Sequence, residues 1–273
     1  MLTDQEVKDL EVQVKQNRRD IVRMVHHAGS GHPGGSLSAI EALTLLYVKR
    51  MRVRVEEPSW PDRDMFFLSK GHCTPAYYTA MASRGYFPRE ELMTFRDMHT
   101  RLQGHPSNAH LPGVDISSGS LGQGLSVCNG AALAARIDGR DARFYCMIGD
   151  GEAQEGQIWE ASMTAGSRGL DNVCAILDKN DIQLDDYVDN VKSLGDVCAK
   201  WRAFGWHVVE VDGHSLRDLD AAFDEAEATK GRPTMIISHT TKGKGVSYME
   251  NTAKFHGMAP TDDELETALE ELR

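Results

Sequence analysis

The chain has 273 residues, 41% of them hydrophobic, and a formal net charge of −11, a length and apolar content that suit a large buried core. The acidic balance excludes a broad nucleic-acid or anionic-membrane surface, although a local cluster of positive charge can still hold an anionic substrate. No apolar run approaches the roughly 18 residues of a membrane span, and the amino terminus MLTDQEVKDLEVQVKQNRRD is charged rather than signal-like. The expectation is a soluble, cytoplasmic protein with no nucleic acid and no membrane among its partners. Cys73, Cys128, Cys146, Cys174 and Cys198 contain no C-x-x-C pair and read as buried free thiols. Cys73 lies beside His72, but a small residue filling a tight turn is the favoured reading, since thiolate activation needs an electropositive niche, and it is assigned no chemistry.

In chain order, residues 4 to 27 carry Val7, Leu10, Val14, Ile21 and Val25 near a helical period, ended by the Gly-rich break AGSGHPGG. A second helix fits Leu37 to Tyr47, and MFFLS at 65 to 69 reads as a short buried strand running into Lys70-Gly71-His72. From Gly119 the pattern alternates: a helix through GLSVCNGAALAARI, the strand ARFYCMI, a helix from Glu152 to Ser167 and the strand NVCAIL. A helix from Leu194 to Phe204, the strand WHVVEV, a helix from Leu216 to Thr229 and the strand TMIISHT follow. Strands apolar on both faces and separated by helices predict an α/β fold, a parallel sheet with helices on both faces. One domain over 1–273 is expected, with 1–118 supplying peripheral helices and loops, 119–257 the core βα units and 258–273 an acidic helical tail.

In open α/β sheets ligands lie beyond the carboxyl ends of strands. Here those positions hold Gly149-Asp150-Gly151, Asp178-Lys179-Asn180, Asp212-Gly213-His214 and Thr240-Thr241-Lys242. Gly-Asp-Gly alone is an ordinary turn sequence. At a strand-to-helix junction, however, its backbone amides can approach phosphate oxygens while the carboxylate meets a hard cation. Asn180 ends the next strand, so two adjacent strand ends can share one Mg²⁺.

The segment IGDGEAQEGQIWEASMTAGSRGLDNVCAILDKNDIQLD resembles the diphosphate-binding domain of transketolases. SGHPGGSLSAIEAL, WPDRDMFFLSKGH, QGHPS, SSGSLGQGLS and KGKGVSYMENTAKFHG extend the resemblance, in matching order, over nearly all of the chain. It implies the thiamine diphosphate-binding (diphosphate domain) fold. It implies thiamine diphosphate and Mg²⁺ as cofactors, with Ca²⁺ or Mn²⁺ as substitutes. Asp150, Asn180 and the carbonyl of Ile182 are then the metal ligands. His72, Gly119, Leu121, Gly149, Gly151, Glu155, Asn180 and His256 are the cofactor contacts. His32, His105 and His256 act on the substrate, with Lys242 and Lys244 closing over the site and Glu155 and Glu160 at a contact between subunits. Three departures from the family's pattern stand at Lys179, Asp181 and Ser120, the last where a proline often precedes Leu-Gly-Gln-Gly.

By the same resemblance, the domain that binds the aminopyrimidine and the carboxyl-terminal domain belong to a partner, the C-terminal transketolase subunit, in an α2β2 assembly. The implied activity is transfer of a two-carbon ketol group from a ketose phosphate to an aldose phosphate. Within the cofactor class, 1-deoxyxylulose-5-phosphate synthase, the α subunit of 2-oxoacid dehydrogenases and a transketolase for a specialised sugar are alternatives. SGHPGG and WPDRDMFFLSKGH favour transketolase over the first two. A non-catalytic cofactor-binding module is the alternative of a different kind.

Overall fold

The computed structural model describes residues 1–273. Strands β1 (Met65–Leu68), β2 (Phe144–Gly149), β3 (Val173–Lys179), β4 (His207–Asp212) and β5 (Thr234–His239) form one sheet in the order β1-β2-β3-β5-β4. Every neighbouring pair is parallel, as the doubly apolar strands predict. Alternate residues feed two cores. Phe66, Leu68, Tyr145, Met147, Cys174, Ile176 and Ile236 point to one side, and Phe67, Phe144, Cys146, Ile148, Ala175, Leu177 and Ile237 to the other. Each fully buried Ile or Leu contributes roughly 2 kcal/mol of apolar transfer free energy.

The first face packs against α1 (Asp4–His27), α2 (Pro33–Leu45) and α8 (Leu216–Ala228). The second packs against α4 (Gly124–Ile137), α5 (Gly156–Ser167) and α7 (Val197–Ala203). This side-switch follows from topology. The connections from β1 through β4 advance in one direction across the sheet and lay α4, α5 and α7 on one face, whereas β4 to β5 steps back and places α8 on the other. The helix Thr74–Arg84, also in the β1–β2 connection, is an exception that joins α1 and α2 on the first face.

Several boundaries differ from the sequence reading. α2 starts at Pro33 rather than Leu37, because proline suits the first helical turn, where no N–H partner is needed. It continues past Leu45 as a π-helical turn over Leu46–Arg50. α3 (Thr74–Arg84), with Pro75 in its first turn and left-handed Gly85 beyond its end, was not foreseen, nor was α6 (Val188–Lys192). α7 begins only at Val197, where Asp196 caps the Ala199 amide. A 3-10 turn over Glu152–Gln154 separates Asp150 from α5, so the helix begins at Gly156 and not at Glu152. The acidic tail forms α9 (Asp262–Glu271), started by a Thr261/Glu264 capping box, and it packs Ala268 and Leu272 into the core beside α1. All five cysteines are free and buried. No helix is long and apolar enough to cross a membrane.

Candidate active site

Gly149 on β2 pairs in register with Asp178 on β3, so Asp150 and Asn180 leave adjacent strands at the same edge of the sheet. They line a cavity of about 390 Å³ together with Ile182, Gln183, Lys70, Lys242, His32, His72, His105 and His256. Gly119, Leu121, Gly149, Gly151 and Glu155 also line it, so every metal, cofactor and catalytic residue expected from the sequence meets in one place. Lys244 does not: it turns to a separate cavity on the far side of its loop, with Arg18, Glu41 and His214. The reason is local, since Gly243 adopts a left-handed conformation between the two lysines and its amide donates to Gly34 O. Glu160 is exposed on α5, away from the cavity lining.

Asp150 is almost fully buried. Its Oδ1 accepts the Gly151 amide at 2.7 Å and its Oδ2 the Asp181 amide at 2.5 Å. Burial, reinforced by the nearby negative charge of Asp178, pushes its carboxyl up to about 6, which marks a carboxylate short of positive charge. The Asp181 amide reaches it because Asp181 is left-handed, φ 62°. Two of the three departures from the family's pattern serve the same turn, for Lys179 pairs with the Asp181 carboxylate.

Asn180 Oδ1 accepts the Ile182 amide at 3.2 Å, and its Nδ2 donates to Asp178 Oδ2 at 3.0 Å. The Ile182 carbonyl accepts Lys242 Nζ at 2.7 Å, and the same ammonium lies 2.8 Å from His256 Nδ1. Burial, with the Lys70 cation nearby, lowers Lys242 to about 8. Gln183 Oε1 is buried without a hydrogen-bond partner. A Cβ on Gly151 would stand 2.8 Å from the Cβ of Gln183, so only glycine leaves that approach open.

One carboxylate, one amide oxygen and one backbone carbonyl are all hard oxygen donors. That set suits a small divalent cation which takes its remaining ligands from a bound diphosphate. No three His, Cys, Asp or Glu side chains converge elsewhere as an all-protein metal cage.

The histidines form a cluster. The ring of His32 lies 5.1 Å from His72, 5.5 Å from His256 and 6.4 Å from His105, centroid to centroid. Burial, with the Arg96 cation adding to it, lowers His32 to about 4. Burial and then Lys242 lower His256 to about 3, and burial holds His72 well below the usual range. Near pH 7 these rings are therefore neutral, each with one donor and one acceptor nitrogen. His32 Nδ1 is buried with no partner within the protein.

Four residues near the site carry roles that the sequence reading did not assign. Lys70 and Asp178 form a buried ion pair behind Asn180. Burial alone would raise the Asp178 carboxyl, but the Lys70 ammonium overrides it and the net direction is down. Glu152 is buried too, accepting Ser69 Oγ at 2.5 Å, the Gly122 amide at 2.8 Å and the Gly149 amide at 3.1 Å. It fastens the loop that carries Ser120 without needing a proline there. Arg96, with φ 65°, lines an adjoining surface pocket that shares His105 with the cavity; it donates to Ser30 Oγ at 3.1 Å, while its buried Nε, packed on Gly104, has no partner. A lysine directly after a strand and an aspartate two residues before the predicted ligand were the available signals for the buried pair.

A glycine-bounded carboxylate, an amide on the next strand end and a ring of neutral histidines define a thiamine diphosphate-binding site of the transketolase kind. The family described as transketolase, thiamine diphosphate binding domain matches residues 11–272, and the chain belongs to it. It is 42% identical over 267 residues to one of the subunits of the apulose-4-phosphate transketolase of Phocaeicola vulgatus, covering 98% of this chain and 95% of that one. It is also 42% identical over 271 residues to the 6-deoxy-6-sulfo-D-fructose transketolase subunit SqwG of a Clostridium species, covering 99% and 98%. Among solved structures, the transketolase of Campylobacter jejuni superposes with a TM-score of 0.92 at 31% identity. That match covers 97% of this chain but 43% of the other, so the chain spans about two-fifths of the solved enzyme's length.

Proposed function

We propose that this chain is the diphosphate-binding half of a two-chain transketolase. Docked with a partner chain that binds the aminopyrimidine, it transfers a two-carbon ketol group from a ketose phosphate to an aldose phosphate. The observation that carries the reading is the single cavity in which Asp150, Asn180 and the Ile182 carbonyl are linked through Lys242 to the histidine cluster. In this reading Asp150, Asn180 and Ile182 hold Mg²⁺. Gly151, His72, His256 and Lys242 meet the diphosphate, with Gly119, Leu121 and Glu155 completing the cofactor's surroundings. Thiamine diphosphate, when bound, supplies the carbanion-stabilising chemistry.

The chain's own residues supply the rest. His32 and His105, together with His256, hydrogen-bond the hydroxyls and carbonyl of the ketose, and a neutral ring can both take and return a proton there. The Arg96 guanidinium, seated against Gly104 at the rim beside His105, brings a positive charge toward the substrate. A specialised donor is the second reading, favoured because two relatives at 42% identity are named for apulose 4-phosphate and for 6-deoxy-6-sulfofructose.

The test is reconstitution of the chain and its partner with Mg²⁺ and thiamine diphosphate, assayed against a panel of ketose donors. Ketol transfer from at least one donor is expected, and inactivity with every donor would sink the reading. Asp150→Ala abolishes Mg²⁺-dependent cofactor binding in the same complex; wild-type affinity would remove Asp150 from the metal site.

A further inference from the structure

The Asp212-Gly213-His214 strand end stands apart from the cofactor cavity, yet His214 is wired to it. Its Nε2 accepts the Thr241 amide at 2.8 Å, and Thr241 immediately precedes Lys242. Since a backbone N–H donates to Nε2, the ring proton sits on Nδ1, which donates to Glu41 Oε1 at 3.1 Å. Glu41 is buried at 4% exposure and pairs with Arg18 at 2.5 Å. Arg18 Nε in turn donates to Lys244 O at 3.1 Å. The loop from Thr241 to Lys244 is thus held from behind at both ends by one connected group of side chains drawn from α1, α2 and the β4–α8 turn. Between those two anchors, Lys242 projects forward to the Ile182 carbonyl and His256.

We propose that His214 is a positioning residue for the cofactor site: by anchoring the Thr241 backbone it sets Lys242 against the Ile182 carbonyl and His256. The inference rests on the reading of Lys242 as a diphosphate contact. Geometry supports it over a purely structural role for His214. The ring spends its one acceptor on the residue next to Lys242, and a lysine side chain with four rotatable bonds holds its place only if its own backbone is fixed.

Two substitutions separate the links. Asparagine at 214 places a donor near Nδ1 and keeps the Glu41 contact but falls short of Thr241, whereas glutamine reaches toward the Nε2 position. In the full chain without cofactor, hydrogen exchange of the Thr241 amide should accelerate about tenfold in H214N, the scale of one lost hydrogen bond, and return to within about threefold of wild type in H214Q. In the complex with the partner chain, H214N should weaken thiamine diphosphate binding about tenfold in calorimetry while leaving kcat at saturating cofactor within about twofold. H214N combined with K242A should bind no more weakly than K242A alone, because the two act through one contact.

Unchanged Thr241 exchange in H214N, or losses from H214N and K242A that add in full, would overturn the proposal. Wild-type affinity in H214N beside a weakened K242A overturns this inference alone. Wild-type affinity in K242A overturns the reading of Lys242 on which it rests.

Discussion

Asp178 Oδ2 accepts the side-chain amide of Asn180 at 3.0 Å, and the same oxygen takes the ammonium of Lys70 and the hydroxyl of Ser38 at 2.7 Å. This contact decides which way Asn180 faces: with its NH₂ held inward, its oxygen is turned to the Ile182 side, where the proposed metal ligands gather. Asp178→Ala therefore has two effects. Lys70 is left buried and unpaired, a loss of about 3 kcal/mol, read as a fall in Tm of about 10 °C for a chain of this size. Asn180 also loses its orientation. Lys70→Met combined with Asp178→Leu removes both charges and recovers most of the melting temperature, but not the affinity for thiamine diphosphate. Full recovery of cofactor binding in the double variant would show that Asp178 does not orient Asn180.

The histidine cluster gives the cofactor-free chain a pH signature. In the folded protein His32 titrates near 4 and His256 near 3, and His72 lies well below the ordinary value of about 6.5. Between pH 6.5 and 4 the unfolded chain therefore binds more protons than the folded one, so these groups make stability fall as pH drops through that window. Asp150 acts in the opposite sense, because its folded value of about 6 lies above the unfolded one. Comparison with a variant isolates the histidine contribution. Melting curves at pH 7 and pH 5 should show a smaller acid-induced drop for His256→Asn than for wild type. Equal drops would mean that His256 is not desolvated in the folded chain.

What the sequence disclosed and what it concealed divide along physical lines. The sheet was legible because both cores are filled by strands with apolar residues on alternate faces, and that pattern is local. Asp150 and Asn180 were legible because strand ends in a parallel sheet are brought together by topology. The Lys70–Asp178 pair was not, since buried opposite charges 108 residues apart look like two surface residues until the fold juxtaposes them. α3 went unseen because TPAYYTAMASR is apolar over most of its surface and buried, with little helical periodicity to read. Lys242 and Lys244 looked equivalent in KGKG, and only the left-handed Gly243 sends them to opposite sides.

Arg96 turns a rim position into a test of substrate charge. Its guanidinium lies beside His105 at the rim, and its charge already depresses His32 and His105. A charge-assisted contact of roughly 2 kcal/mol corresponds to about a thirtyfold change in binding. Arg96→Met should raise KM for an anionic ketose donor by one to two orders of magnitude, with a much smaller change for an uncharged ketose. Steady-state kinetics of the reconstituted complex with paired phosphorylated and unphosphorylated donors supplies the comparison. Equal effects on both would assign Arg96 to loop structure, since its Nη1 also holds Ser30.

Glu152 controls the loop that carries Gly119 and Leu121. Its two oxygens accept three donors, from Ser69, Gly122 and Gly149, and Ser69 Oγ also accepts the Gly124 amide at 3.1 Å. One carboxylate thus ties the β1 end, the β2 end and the start of α4 together. Glutamine is isosteric but carries an NH₂, and in either orientation that group meets a backbone N–H which needs an acceptor. If the NH₂ faces Gly149, the turn before Asp150 loosens; if it faces Gly122, the loop over the cavity loosens. Leaving one buried donor unsatisfied costs about 2 kcal/mol, so Glu152→Gln should lower Tm by several degrees. Hydrogen exchange of the full chain should locate the damage as faster exchange at Gly122 or Gly149, with β3 and β5 unaffected. Exchange that stays slow at both amides despite a lower Tm would show that Glu152 contributes through general packing, and the loop would owe its place to Ser69 alone.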